Sequence, residues 1–210
     1  MAAWMRSPTS PKNSISEMPT VVLDACILFQ GKLTDFLLCL AEQGGYEPLW
    51  SDDIHAEWMR NLRACFNIPI ERLEYRRSEM ERAFPAANCL ADPSILAEVT
   101  ALCRNDRQRK DAHVIATAAT ASADMILTHN SQDFPMDILE KHGLTRMKPD
   151  AFCQGQLSAN PPLVIAAAKA HRQSMKRSPY SQEHYLALLA SEKVGLSGLV
   201  ELLRPYVSQI

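Results

Sequence analysis

Two short, uninterrupted apolar runs restrict the fold of this chain more than any other feature. Residues 20–24 read TVVLD and residues 123–128 read ADMILT. A strand with one wet face alternates apolar and polar residues, whereas an unbroken apolar run of this length belongs to a strand covered on both faces. Helical patterns lie between and around these runs. After Gln30-Gly31, Leu33, Phe36, Leu37, Leu40 and Ala41 recur at helical spacing until Gly44-Gly45. YEPLW (46–50) reads as a second strand, weakened by Pro48. Ser51 suits an N-cap, with Ile54, Trp58 and Leu62 on one face of the helix that follows.

Residues 69–91 are rich in Glu and Arg and read as helical, and Asp92-Pro93 opens another helix over 94–103. RNDRQRK (104–110) reads as a charged break. From Asp111 a further helix begins, with Ala112, Ile115, Ala116 and Ala119 on one face. A short helix near 136–142 and a last edge strand in LTRM (144–147) complete the pattern. Strands alternating with helices predict an α/β protein whose parallel sheet is covered on both faces. There are no repeats. The expected organisation is a flexible lead-in over 1–18, a main domain over 19–152 and a helical C-terminal extension over 153–210. In the extension Leu199, Leu202, Leu203 and Tyr206 form a stripe expected to bury against the core or a partner.

Composition narrows the function classes. A net charge of −2 removes the global basic field of a sequence-indifferent nucleic-acid binder, although a local patch can still touch RNA. The six cysteines include no C-x-x-C pair, which argues for free thiols in a reducing compartment over a zinc site. No stretch approaches the roughly 18 apolar residues of a membrane span, and the N-terminus lacks the apolar core of a secretory signal. A cytoplasmic protein is expected.

In open parallel sheets, ligands bind at the carboxyl ends of strands. Asp24 closes the first strand, Thr128, Asn130 and Asp133 follow the later one, and Asp111 opens the helix leading into it. Glu57 borders the apolar face of the helix after Ser51. Each acid has a structural explanation taken singly: Asp24 and Asp111 as helix-end residues, Glu57 as a solvated side chain, Asp133 as the cap of a turn before Phe134-Pro135. Together on one rim they would repel one another, and a divalent cation resolves that conflict. An all-oxygen donor set selects Mg²⁺ or Mn²⁺ over zinc. Arg104, Arg107, Arg109 and Lys110, directly before Asp111, are candidate phosphate contacts, with a solvated loop as the alternative. A second basic run, AHRQSMKR (170–177), has the same alternative. His113 and His129 flank the acids and read as polar rim residues.

The segments VVLDACIL, SDDIHAEWMRNL, KDAHVIATAATASADMILTHNSQDFP and GLTRMKPDAF together resemble the PIN domain family, and within it the bacterial toxin ribonucleases of the VapC type. The resemblance covers about residues 19–152. It implies a three-layer α/β/α sandwich around a central parallel sheet, followed here by C-terminal helices, and a metal-dependent endoribonuclease. Asp24, Glu57 and Asp111 match the family's three central acids, Asp133 the acid of its D-F pair, and Thr128 and Asn130 its polar turn. Asp24 and Asp111 would hold the metal, with Glu57 and Asp133 assisting directly or through water. Water activated there would attack a phosphodiester in line, and by resemblance leave a 5′-phosphate and a 3′-hydroxyl. A small antitoxin and a homodimer are implied in the same way. Asn130 departs from the Asp that many PIN domains carry, which predicts a weakened second metal position rather than lost activity. Two other readings remain: a catalytically silent PIN-like module that binds RNA or protein, and phosphoryl transfer through Asp24. Cys26, where a second acid would stand, counts against the last.

Overall fold

The computed structural model describes residues 18–176 and 180–210 of the chain. The expected lead-in, apart from Met18, and Arg177 of the second basic run lie outside the described residues. Both apolar runs are strands. β1 (Thr20–Leu23) pairs in parallel with β2 (Glu47–Leu49) on one side and β3 (Met125–Leu127) on the other. β4 (Thr145–Met147) adds to β3, giving the order β2-β1-β3-β4. Val21, Val22 and Leu23 have no exposed surface although their side chains alternate between faces, so both faces of the sheet are covered. Pro48 sits in β2, at an edge of the sheet where a missing donor is tolerated.

Asp24 ends β1 and a single helical turn, α1 (Ala25–Leu28), follows at once; the sequence carries no periodic signal for an element this short. α2 (Gly31–Glu42), α3 (Asp52–Phe66), α4 (Ile70–Ala83) and α5 (Pro93–Leu102) form where the patterns place helices, except that α4 ends at Ala83 and residues 84–91, expected to be helical, instead carry a turn and a bridge from Asn88 to Trp50. Ser51 accepts from the Ile54 amide at 3.4 Å, and the Asp92 carboxylate accepts from the Ser94 amide at 2.7 Å. Residues 104–110 differ from expectation. They are not a break but carry α6 (Asp106–Lys110), because the Asn105 side chain caps it by accepting from the Gln108 amide at 3.0 Å. α7 (Ala112–Thr120) leads into β3, and α8 (Met136–Lys141) precedes β4.

The C-terminal part comprises α9 (Pro149–Ala159), α10 (Pro161–Ser174), α11 (Gln182–Ala190) and α12 (Ser197–Leu203). α9 continues through residue 152, so the boundary expected there falls inside a helix that Pro149 opens at its first turn. α10 packs along α2, and α12 packs on α9. Asp150 caps α12 by accepting from the amides of Gly198 at 3.0 Å and Leu199 at 2.8 Å. A side chain at position 198 would collide with Gln154 and Asp150, which explains the glycine. Of the predicted stripe, Leu199 and Leu203 are fully buried, Tyr206 is half-buried, and Leu202 stays 44% exposed because it lies on the outer side of its helix.

His171 on α10 is enclosed at this seam, beside Phe36 of α2, with its Nδ1 3.0 Å from the Tyr185 hydroxyl of α11. Burial, with the nearby Lys32 charge adding to it, lowers its pKa to about 4, and burial lowers that of His55 to about 4 as well. Both rings are therefore neutral in the fold, while an unfolded chain protonates them near the ordinary value of about 6.5. Their contribution is complete above that value and is lost as pH falls towards 4. The two imidazoles therefore penalise the parent at low pH, and the difference in melting temperature between parent and His171→Gln is expected to shift in the variant's favour as pH falls across this window, since the raised acids titrate alike in both. A melting series over pH checks the slope independently of the variant's absolute stability.

Candidate active site

Asp24 and Thr128 stand side by side because they extend neighbouring parallel strands. The Asp24 amide donates to the Leu127 carbonyl at 3.1 Å, and the Thr128 amide donates to the Met147 carbonyl at 3.1 Å. The Thr128 hydroxyl then donates to Oδ2 of Asp24 at 2.7 Å, and the Cys26 thiol donates to the same oxygen at 2.9 Å. Asp24 is thus no side-chain cap of α1, and both side-chain donors, Thr128 and Cys26, fall on its Oδ2. Asp111 likewise precedes α7 without capping it through its side chain. Glu57 is buried on α3 and is not a solvated residue, and Asp133 is buried at the end of a 3₁₀ turn (Ser131–Asp133).

All four acids line one cleft of about 490 Å³, together with Cys26, Phe29, Gln30, Asn61, Cys65, Arg107, Lys110, His129 and Asn130. Asn130 is exposed at the rim, with its amide donating to Thr128 Oγ1 at 2.9 Å. A second depression of about 270 Å³ shares Arg107, His129 and Asn130 with the first and adds Ser131, Gln132 and Lys148.

The four cations before Asp111 divide into two pairs. Arg107 Nε lies 3.1 Å from Asp133, and Lys110 Nζ lies 3.3 Å from Glu57, so these two reach the cleft. Arg104 instead pairs with Asp137, and Arg109 with Asp106 at 2.8 Å, both away from it. α6 explains the division, since one turn of helix sends residues 107 and 110 to one side. His113 faces Glu57 at 3.6 Å and holds the Lys110 carbonyl through Nδ1 at 2.9 Å. Sequence reasoning did not anticipate Cys26 as a partner of Asp24, or Lys148 in the adjoining depression. Cys26 follows Asp24 by two residues and Lys148 follows β4 directly, positions that a strand-end rule could have flagged.

Burial raises the pKa of Asp24, with the hydrogen bonds from Cys26 and Thr128 opposing and the Glu57 charge adding. Burial also pushes Asp111 up to about 7, and the charges of Asp24, Glu57 and Asp133 push in the same direction. Three acids therefore act on the fourth. Among the described residues no three His, Cys, Asp or Glu side chains are gathered tightly enough to hold a metal ion as they stand. The chemistry of the donor set nevertheless fits a hard divalent cation: buried oxygens, excess negative charge, and two acids, Asp24 and Asp111, in no salt bridge among the described residues.

Fold and cleft together define the class. Residues 20–132, more than half of the chain, match the family model described as PIN domain, and the chain belongs to the PIN domain family. Residues 149–205 match the model described as VapC50 C-terminal domain, which makes this a VapC-type PIN protein with a C-terminal extension. No curated protein and no solved structure matches. Among the described residues no helix is long and apolar enough to cross a membrane.

The raised pKa of Asp111 has a thermodynamic sign. The folded state holds this proton more tightly than the unfolded chain, so metal-free stability declines as pH rises from about 4 to about 7. In EDTA above about pH 8, Asp111→Asn is expected to melt roughly 2–4 °C higher than the parent, the response of a domain this size to about 1 kcal/mol. An unchanged or lower melting temperature there would mean that the acids do not strain one another.

Proposed function

We propose that the chain is a metal-dependent endoribonuclease, the toxin of a type II toxin–antitoxin pair, acting in the cytoplasm on RNA phosphodiesters. The observation that carries this reading is the position of Asp24 and Asp111, buried in one cleft with Glu57 and Asp133 and in no salt bridge among the described residues. The PIN family membership and the VapC50 C-terminal match support it, and six free cysteines agree with a reducing compartment.

Asp24 and Asp111 would hold Mg²⁺ or Mn²⁺, with Glu57 and Asp133 as further oxygen donors. A divalent ion there supplies a Lewis acid and offsets charge that develops on the phosphate. The chain's own groups do the rest. Thr128 and Cys26 fix the orientation of Asp24. Arg107 and Lys110 reach the cleft and can exchange their carboxylate partners for phosphate oxygens. Lys148 extends that cationic track into the adjoining depression. The products would carry a 5′-phosphate and a 3′-hydroxyl. A small antitoxin covering the cleft and a homodimer complete the proposal.

Incubation with a mixed RNA pool, with and without EDTA, tests the reading. Cleavage is expected only with Mg²⁺ or Mn²⁺, and Asp24→Ala or Asp111→Ala should abolish it while circular dichroism stays that of the parent. Full activity in both variants would refute the site. Metal-independent binding without turnover would favour a silent RNA-binding module. Asn130, at the rim, gives a finer test: Asn130→Asp should tighten Mn²⁺ binding measured by calorimetry, and an unchanged affinity would make it a turn residue only.

A further inference from the structure

One wall of the cleft is used by none of the chemistry above. It is built from the α1–α2 junction and the end of α3, and it carries Phe29, Gln30, Asn61 and Cys65. The next residue, Phe66, is the last of α3 and is 63% exposed. Its ring centroid lies 5.8 Å from that of Phe29, with the planes tilted by 36°. Phe29 is half-buried and packs on the core, so the pair is anchored on one side and open on the other. Asn67 adopts a left-handed backbone (φ 50°) immediately afterwards, which ends the helix at Phe66, directly after the lining residue Cys65 and against the lining residue Phe29. Beside the rings, the half-buried Gln30 and Asn61 amides have no side-chain hydrogen bonds among the described residues.

An open aromatic ring, two amides without side-chain partners and two cations around one cleft do not suit an apolar ligand. They match the parts of a nucleotide. A ring offers a stacking face to any base, amides read base edges, and Arg107 and Lys110 face the phosphate. A base already stacked within a duplex presents no free face, which selects single strands. We propose that Phe66, backed by Phe29, is a stacking platform for one unpaired RNA base next to the scissile phosphate, with Gln30 and Asn61 determining base preference. The proposal rests on the ribonuclease reading for the identity of the polymer and adds a base subsite to it.

The test uses the full chain, a fluorescently labelled single-stranded RNA of random sequence, and an abasic ribose-phosphate oligomer of equal length. Binding is followed by anisotropy in EDTA, where no cleavage interferes. Phe66→Ala should weaken binding of the random RNA about tenfold, inside the roughly 5- to 150-fold range of one base–aromatic stack, while Phe66→Trp stays within about twofold of the parent. The abasic oligomer should bind more weakly than RNA and ignore Phe66→Ala. With Mg²⁺, Asn61→Ala should shift the base preference at sequenced cleavage ends. The subsite is overturned if Phe66→Ala binds RNA as the parent does, or if the abasic oligomer loses as much. It is equally overturned if Phe66→Ala releases a small co-purifying protein and leaves RNA binding intact, since the rings would then be a protein contact. The two readings fail separately. Base-dependent binding lost in Phe66→Ala without cleavage by the parent keeps the subsite and removes the nuclease. Cleavage by the parent with unaltered binding in Phe66→Ala does the reverse.

Discussion

The hydrogen bond from Thr128 to Asp24 joins residues 104 positions apart and fixes the centre of the cleft. It exists only because β1 and β3 are parallel neighbours in register, which brings both carboxyl ends to one edge of the sheet. The same register brings the Asp133 turn and the rim residue Asn130 to that edge. α7 supplies Asp111 from the opposite chain direction, at the start of the helix that runs down to β3. Burying Asp24 costs free energy, and two donors on a single oxygen offset part of that cost. Neither side-chain donor occupies the other oxygen.

The cleft is held in tension by its own charges. Burial and the charges of three neighbouring acids raise Asp111, and two cations of α6 each relieve one of those three. A partly desolvated ion pair is a poor source of net stability, because desolvation cancels much of the attraction. The pairs at Glu57 and Asp133 are better understood as exchangeable. Under the proposed function a divalent ion would compete for the carboxylates, and a phosphate for Arg107 and Lys110. Each replacement favours the other, since both the released acid and the released cation would otherwise remain unpaired at a partly buried site.

The sheet was legible because a strand buried on both faces leaves an unbroken apolar run, and TVVL and MIL need no tertiary information to be read so. The acids were legible as a set, because strand ends and a helix start can be located on the chain without coordinates. The division of the basic run was not. Whether residues 104–110 form a loop or a turn of helix depends on one Asn105 cap, and that cap decides which two of four cations face the acids. The Phe66 rim was invisible for a similar reason. An exposed aromatic at a helix end looks like any other until Phe29, 37 positions earlier in the chain, is placed beneath it. Short elements and pairings between distant segments carry little periodic signal, and here both sit at the cleft.

The C-terminal helices bear on the cleft although none of their residues lines it. α10 packs along α2, and Gln30, the residue at which α2 begins, is part of the cleft wall. Thr34, one turn into α2, donates its hydroxyl to the Ile27 carbonyl of α1 at 3.0 Å, so α1 and α2 meet at a fixed angle beside Asp24. Behind them, Phe36 touches His171, and Tyr46 meets Phe152 edge to face while its hydroxyl donates to the Leu37 carbonyl. Removing α9 and α10 would strip apolar cover from the outer face of α2, and α2 is what positions the α1–α2 junction. The extension therefore acts on the cleft from behind, by making rigid the wall that carries Phe29 and Gln30. Small shifts there would matter to the proposed base subsite, because stacking and hydrogen bonding to a base both depend on the separation of the groups that make them.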